Sequence, residues 1–371
     1  MDCQRLQKFY PWRAGVALAA IFLATALAAA GQDGHGGRSV FVLTSTNNPS
    51  GNAVVVFKLD TDGTPSLPLV DILRTGGTGG ASTNAGILQF RDDLGAVANW
   101  GSNTVSQLVR YDDFISIGST IKLATGCSKP DSVALTKEHL FVVGTNCAES
   151  HAWPSGNVDG TVVSLTDSTA AQIAVGRSWA AVTLADPAST GSVLQLGLTR
   201  DGALSGTSND VTLPAMANMV PLGEAFWGDI LGFTPAHSPN SFAILNNGTV
   251  YPITGPTPPY STTPPFNAPC WVAKGPGSLW YTGNSPGSAI SIFFSDGQGG
   301  VLYKSTPLQV MGTPTDITVS RDFKWLAVIY TYDGYGYVAV YSIDSYGDLT
   351  YVATSPQVST LTTVSGVAFS E

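Results

Sequence analysis

Few side chains in this sequence could carry acid–base chemistry. Of its 371 residues 12% are charged, four are histidine, and glutamate occurs only at Glu138, Glu149, Glu224 and Glu371. His151, in Cys147-Ala-Glu-Ser-His-Ala-Trp153, and Glu224 are the candidates for a general base. An imidazole titrates near neutrality, and desolvation can bring a carboxyl there. Arg74 and Arg177 could hold a carboxylate or phosphate with the planar guanidinium fork. Trp153 and Trp227 could stack on a sugar ring or another flat ligand.

Other chemistries find no support. The run Thr75-Gly-Gly-Thr-Gly-Gly-Ala-Ser82 invites a phosphate-loop reading, but it lacks the Lys-Ser/Thr ending and a following helix. No Gly-x-Ser-x-Gly elbow and no CxxC occurs, and His139 and His151 have no partner at ligand spacing, so neither a metal nor a cofactor is expected. Cys127 and Cys147 flank one hairpin and are expected to form a disulfide, which leaves Cys270, inside Pro-Cys-Trp-Val, as a buried free thiol. Asn247-Gly248-Thr249 is a glycosylation sequon in a eukaryotic host.

The elements that must position these residues are strands. Thr315–Val352 contains four short apolar runs separated by Ser-Arg-Asp, Tyr-Asp-Gly-Tyr-Gly and Asp-Ser-Tyr-Gly-Asp. Val, Ile, Tyr and Trp suit a pleated surface, and Gly and Asp supply the turns. The same unit recurs about every 45 residues. Further units open at Gly86–Phe90, Asp131–Leu135, Trp179–Leu184, Asp229–Phe233 and Trp271–Lys274. The first unit (Ser39–Thr44, Ala53–Leu59 and about Leu67–Leu73) lacks an opening strand. Ser365–Ser370 is an opening strand without a unit. Together these predict an all-β, seven-bladed β-propeller whose C-terminal strand completes the N-terminal blade and closes the ring.

Residues 1–30 read as a secretory signal: Arg5, Lys8 and Arg13, then an apolar run from Ala14 to Leu27, then small residues. Residues 31–38 read as a linker and 39–371 as the propeller. Without residues 1–30 the chain keeps 14 Lys and Arg against 25 Asp and Glu, a net charge of −11. That balance argues against nucleic acid and, after signal cleavage, against a membrane surface. The expected state is a secreted monomer.

Loops sort by parity in such a ring. Most long connections (75–84, 145–160, 214–228, 255–269 and 355–364) fall on the face of the inter-blade links, which is therefore the expected site. There His151 and Trp153 would sit in the 145–160 loop, and Arg74, Arg177, Glu224 and Trp227 in inter-blade links near the channel. His139 and His237 fall on the opposite face.

Thr75–Ser82, the segment Ala96-Val-Ala-Asn-Trp-Gly-Ser-Asn-Thr-Val-Ser106 and the unit Pro314–Leu349 resemble the lactonase family of seven-bladed propellers, which includes 6-phosphogluconolactonase-like proteins and fungal carboxymuconate cyclases. The resemblance spans roughly residues 39–371 and implies a lactone-handling site on the channel face. Three catalytic-type positions depart from it. The chain reads Lys129-Pro130-Asp131 where the family has Gly-Pro-His, Asn284-Ser285 where it has Asn-Glu, and Pro314-Thr315-Asp316 where it has Pro-Arg-His. Asp131 would retain a polar role at the channel mouth. The expected function is binding of a small molecule or glycan (or a protein) on the channel face without inherited catalysis. The alternative is hydrolysis of a sugar-type or muconate-type lactone.

Overall fold

The computed structural model describes residues 38–80, 85–166, 169–185, 191–213, 220–236, 242–252, 269–285, 287–296, 298 and 300–371. Residues 1–37, which hold the expected signal and nearly all of the expected linker, and His237 lie outside them.

The described strands form seven sheets of four antiparallel strands each. The first blade begins with β1 (Val40–Ser45), β2 (Ala53–Leu59) and β3 (Leu69–Arg74). The second is β4 (Leu88–Arg91), β5 (Leu94–Asn99), β6 (Thr104–Tyr111) and β7 (Phe114–Lys122). The third is β8 (Pro130–Leu135), β9 (His139–Gly144), β10 (Cys147–Ala152) and β11 (Val158–Ser164). The fourth is β12 (Ala170–Val175), β13 (Trp179–Leu184), β14 (Ser192–Leu198) and β15 (Leu204–Thr212). The fifth is β16 (Val220–Trp227), β17 (Ile230–Ala236), β18 (Ala243–Asn246) and β19 (Thr249–Pro252). The sixth is β20 (Pro269–Lys274), β21 (Leu279–Asn284), β22 (Ala289–Ser295) and β23 (Val301–Gln309). The seventh is β24 (Thr313–Val319), β25 (Trp325–Tyr332), β26 (Tyr335–Ile343) and β27 (Leu349–Thr354). Finally β28 (Ser365–Ser370) pairs with β1, Leu43 opposite Ala368, and makes the first blade four-stranded. The predicted closure is therefore what the chain does.

Two opening strands differ from the sequence reading. The sequence reading opens the fourth and fifth blades at Trp179–Leu184 and Asp229–Phe233. Instead β12 and β16 open those blades, and the Trp179 and Ile230 strands are their second strands. The displaced strand is β10, whose Cys-Ala-Glu-Ser-His-Ala looks like a polar loop yet is buried along almost its whole length. Its polar side chains are satisfied internally, so neither alternation nor hydrophobicity marks it.

Six of the seven opening strands carry an irregularity near the start. The register shifts after Pro130, Ala170, Pro221, Pro269 and Pro314, and on β1 opposite Ser365–Val367. Proline has no N–H to donate to a ladder, so it is at home where the ladder is interrupted. A bulge bends its strand and re-aims the residue that follows. Here those residues include Ser132, Gln172, Glu224 and Asp316, all buried polar groups beside the ring axis.

Blade faces pack on one another through apolar side chains. Leu43, Val54, Val97, Leu108, Val133 and Val142 join the first three blades, and Val55, Phe57, Ile329, Val340 and Val367 join the seventh to the first. Arg110 reinforces the closure. It is 3% exposed, stacks over Phe41 at 5.1 Å, and donates to Ser370 Oγ at 3.1 Å and to the Ser39 carbonyl.

The Cys127–Cys147 disulfide is present, with a Cα–Cα distance of 5.6 Å across a separation of 20 residues. The lone thiol expected at Cys270 is corrected: among the described residues no cysteine is free, and Cys270 is itself disulfide-bonded. Replacing Cys127 and Cys147 together by serine is expected to lower stability by about 3 kcal/mol, the loop-closure value for such a separation. Denaturant titration checks this, and an unchanged midpoint would show that the link is dispensable.

Candidate functional site

Seven inner strands (β4, β8, β12, β16, β20, β24 and β28) surround a central channel with a cavity of about 680 Å³. Its exposed rim, among the described residues, is formed by Arg38, Arg91, Asp92, Asp93 and Arg321. All but Arg38 lie at or just beyond the ends of inner strands, where the chain turns into the second strand. The open mouth is therefore on the face of the 1–2 turns, opposite the inter-blade links that the sequence favoured. The long links at 214–219 and 253–268 lie outside the described residues.

Ion pairs organise this mouth. Arg38 meets Asp93 at 2.5 Å, Arg321 pairs with Asp92, and the Arg321 amide donates to Glu371 Oε1 at 3.1 Å. Lys274 also lines the channel, but its ammonium is occupied. Nζ donates to the carbonyls of Gly275 and Gly277, each at 2.6 Å, and lies over the rings of Trp227 and Trp280. Burial lowers its pKa to about 8.

Deeper in, the walls become buried carboxyls and amides. Asp316 is 5% exposed, and burial pushes its pKa up to about 7 although the amides of Ile317, Gly86 and Val367 favour the charged form. Those amides belong to blades seven, two and one, so one carboxyl ties the ring together where it closes. Glu224 is 1% exposed, and neither carboxyl oxygen makes a hydrogen bond. Burial holds it well above the usual carboxylate range, and the nearby Ala174 amide offsets this only in part. Gln172 clamps the adjacent inner strand at that point: its Nε2 donates to the Glu224 carbonyl and its Oε1 accepts from the Glu224 amide, both at 2.9 Å.

The other predicted site residues are dispersed. Arg74 ends β3, the outermost strand of the first blade, and is exposed, so it does not face the channel. Arg177 lies exposed in the 1–2 turn of the fourth blade rather than in an inter-blade link, and does not line the cavity. Asp131 is the extra residue of the β8 bulge, 4% exposed, and is absent from the channel wall. Trp153 follows β10 on the 3–4 side and packs into the core of the first three blades. Trp227 ends β16 at 36% exposure beneath Lys274.

His151 is not in a loop. It points from β10 into the protein with no exposed surface; Nε2 lies 3.0 Å from Glu149 Oε1 and Nδ1 2.9 Å from the Gly156 carbonyl. Burial pulls its pKa down, but the Glu149 and Gly156 contacts prevail and leave it raised. Glu149 Oε2 accepts from the Ala124 amide at 2.8 Å. This buried pair joins the second and third blades and has no access to the channel. His139 likewise bridges Asp159 and the Asp201 carbonyl, at 2.8 and 2.7 Å.

Of the predicted residues, Glu224 alone lines the cavity. Sequence reasoning missed Asp316, Gln172 and the Arg321–Asp92 pair. The recurring Pro-x-polar start of the inner strands, in Pro130-Asp-Ser and Pro314-Thr-Asp, is the signal that could have found the first.

No protein-family model and no curated protein sequence matches the chain. The fold does match solved structures. One is a Bacteroides uniformis protein provisionally assigned as a 6-phosphogluconolactonase, at 14% identity and TM-score 0.63, covering 90% of this chain and 99% of that one. A second is a periplasmic gluconolactonase of Pseudomonas aeruginosa, at 14% identity and TM-score 0.60, covering 90% and 99%. A third is a streptogramin B lyase, at 17% identity and TM-score 0.57, covering 77% and 87%. At these identities the likeness speaks for architecture alone: the chain has the seven-bladed propeller fold that these structures share.

Proposed function

We propose that this protein is an extracytoplasmic propeller that binds a small polar molecule in its central channel, entering from the 1–2 turn face, without inherited lactone chemistry. The observation that carries this reading is the channel itself. It offers about 680 Å³, a rim of paired arginines and aspartates and a polar wall, while the described histidines, His139 and His151, are committed elsewhere. A cavity of this size with a few convergent polar groups is the usual form of a small-molecule site. The disulfide and the periplasmic relative support an oxidising compartment. A glycan end or a free polyol would present the hydroxyls that such a wall can bind.

A second reading is hydrolysis of a sugar-type or muconate-type lactone. Asp316 favours it, because a carboxyl with a pKa of about 7 can take or give a proton at neutral pH. Glucono-1,5-lactone and its open acid separate the two. Binding without catalysis predicts a saturable thermal shift and no turnover above the spontaneous rate. Turnover that His151→Ala leaves intact and Asp316→Asn removes would establish the hydrolase. Neither shift nor turnover with a panel of sugars, sugar acids and lactones would discard the channel as a site.

A further inference from the structure

Behind β10, away from the channel, chemistry-bearing residues converge. Cys147, Glu149 and His151 alternate along one strand, so all three project from the same face. The turn before β8 brings Cys127 to them. One ligand atom from each of Cys127, Cys147 and Glu149 lies within 4.8 Å of the others, the one such group among the described residues. His151 Nε2 stands 3.0 Å from the carboxylate and orients it.

We propose that this cluster is a redox-gated metal site: a disulfide when oxidised, and a Zn²⁺ site built from Cys127, Cys147 and Glu149 when reduced. Two thiolates and a carboxylate form a donor set that suits Zn²⁺ and disfavours Mg²⁺ and Ca²⁺. In a tetrahedral zinc site the ligand atoms stand about 3.5–3.8 Å apart, given bonds of about 2.3 Å to sulfur and 2.0–2.2 Å to oxygen. The sulfurs therefore separate on reduction, and the carboxylate closes by about 1 Å. A water fills the fourth position. Hydrogen bonds from His151 and the Ala124 amide leave each carboxylate oxygen a further lone pair, and such outer partners fix ligand geometry in metal sites.

The chemistry balances with an external dithiol. Its thiolate attacks the Cys127 sulfur, which is half-exposed, whereas Cys147 is buried. The S–S bond breaks, a mixed disulfide forms, and the second thiol of the reagent resolves it to a cyclic disulfide. Cys127 and Cys147 each take up one of the two protons that the reagent's thiols give up. Zn²⁺ then displaces both protons, so binding weakens as pH falls.

The test uses the full chain in a Cys270→Ala background, reduced with dithiol under anaerobic conditions, desalted, given one equivalent of Zn²⁺ and gel-filtered. The expected result is about one zinc retained per reduced chain and none by the oxidised chain or by reduced Cys127→Ser. Co²⁺ in place of zinc should give a thiolate charge-transfer band that Cys127→Ser lacks. Reduced protein that keeps its circular dichroism but retains no zinc would overturn the proposal, as would equal retention by Cys127→Ser. Where reduction alone melts the sheet, zinc is expected to restore a cooperative transition, and failure to restore it also overturns the proposal.

Discussion

A chain ending at Thr363 is expected to have no cooperative unfolding transition. Residues 365–370 form the innermost strand of the first blade, every one of them buried. Loss of Val367 and Phe369 from their packing alone forfeits about 3–6 kcal/mol, at about 1.5–3 kcal/mol for each such side chain. The ladder to β1 is lost as well, including the bond from Thr44 Oγ1 to the Gly366 carbonyl at 2.8 Å. Arg110 loses the Ser370 hydroxyl and keeps a buried guanidinium. Domain stabilities of about 5–15 kcal/mol leave little after such losses, and the opened ring presents an unpaired apolar edge. Calorimetry and circular dichroism decide the matter. Adding residues 364–371 as a separate peptide should rescue the transition by strand addition. A truncated chain that melts cooperatively within a few degrees of the full one would show that the closure is ornamental.

The stability of the intact protein should be greatest in mild acid and fall as the solution is made neutral. Burial raises Asp316 from 3.8 to about 7 and holds Glu224 well above its ordinary range. For each group the folded state binds the proton more tightly than the unfolded chain does. Between the two pKa values the native protein carries more protons, so stability declines as pH rises. For Asp316 the window runs from about pH 4 to about pH 7, and a rise of about three units corresponds to about 4 kcal/mol at most. His151 contributes with the same sign, since its raised pKa gives stability that is lost as pH climbs past it. Chemical denaturation at pH 5 and pH 8 measures the effect. Asp316→Asn should flatten the slope and Glu224→Gln should reduce it further. A wild-type midpoint that rises from pH 5 to pH 8 would refute the assignment.

The ring was legible because its evidence is redundant. Turn residues recur between apolar runs, and the split first blade explains two otherwise separate oddities. The allocation of strands in the third to fifth blades was not legible. β10 carries a buried ion pair in place of an apolar face, and Val220-Pro-Leu-Gly-Glu breaks its alternation where it bulges. The site was harder still. Arg74 and Arg177 were chosen for their chemistry, yet once β10 is passed over as a loop the strand count shifts by one, and the 1–2 turn that holds Arg177 reads as an inter-blade link. Asp316 was seen in the sequence only as a departure from a family pattern. What gives it its character is burial where three blades meet, beside the amides of Ile317, Val367 and Gly86, the last of them 230 positions away along the chain.

The split first blade also sets a temporal order. Six blades can form as the polypeptide emerges, but β1 remains without its inner neighbour until residues 365–370 have been made, more than 300 positions later. Completion is therefore a late, all-or-none event in the life of each molecule. Until then an unfinished copy keeps one open edge on β1, and the ring becomes rigid only when residues 365–370 have joined it.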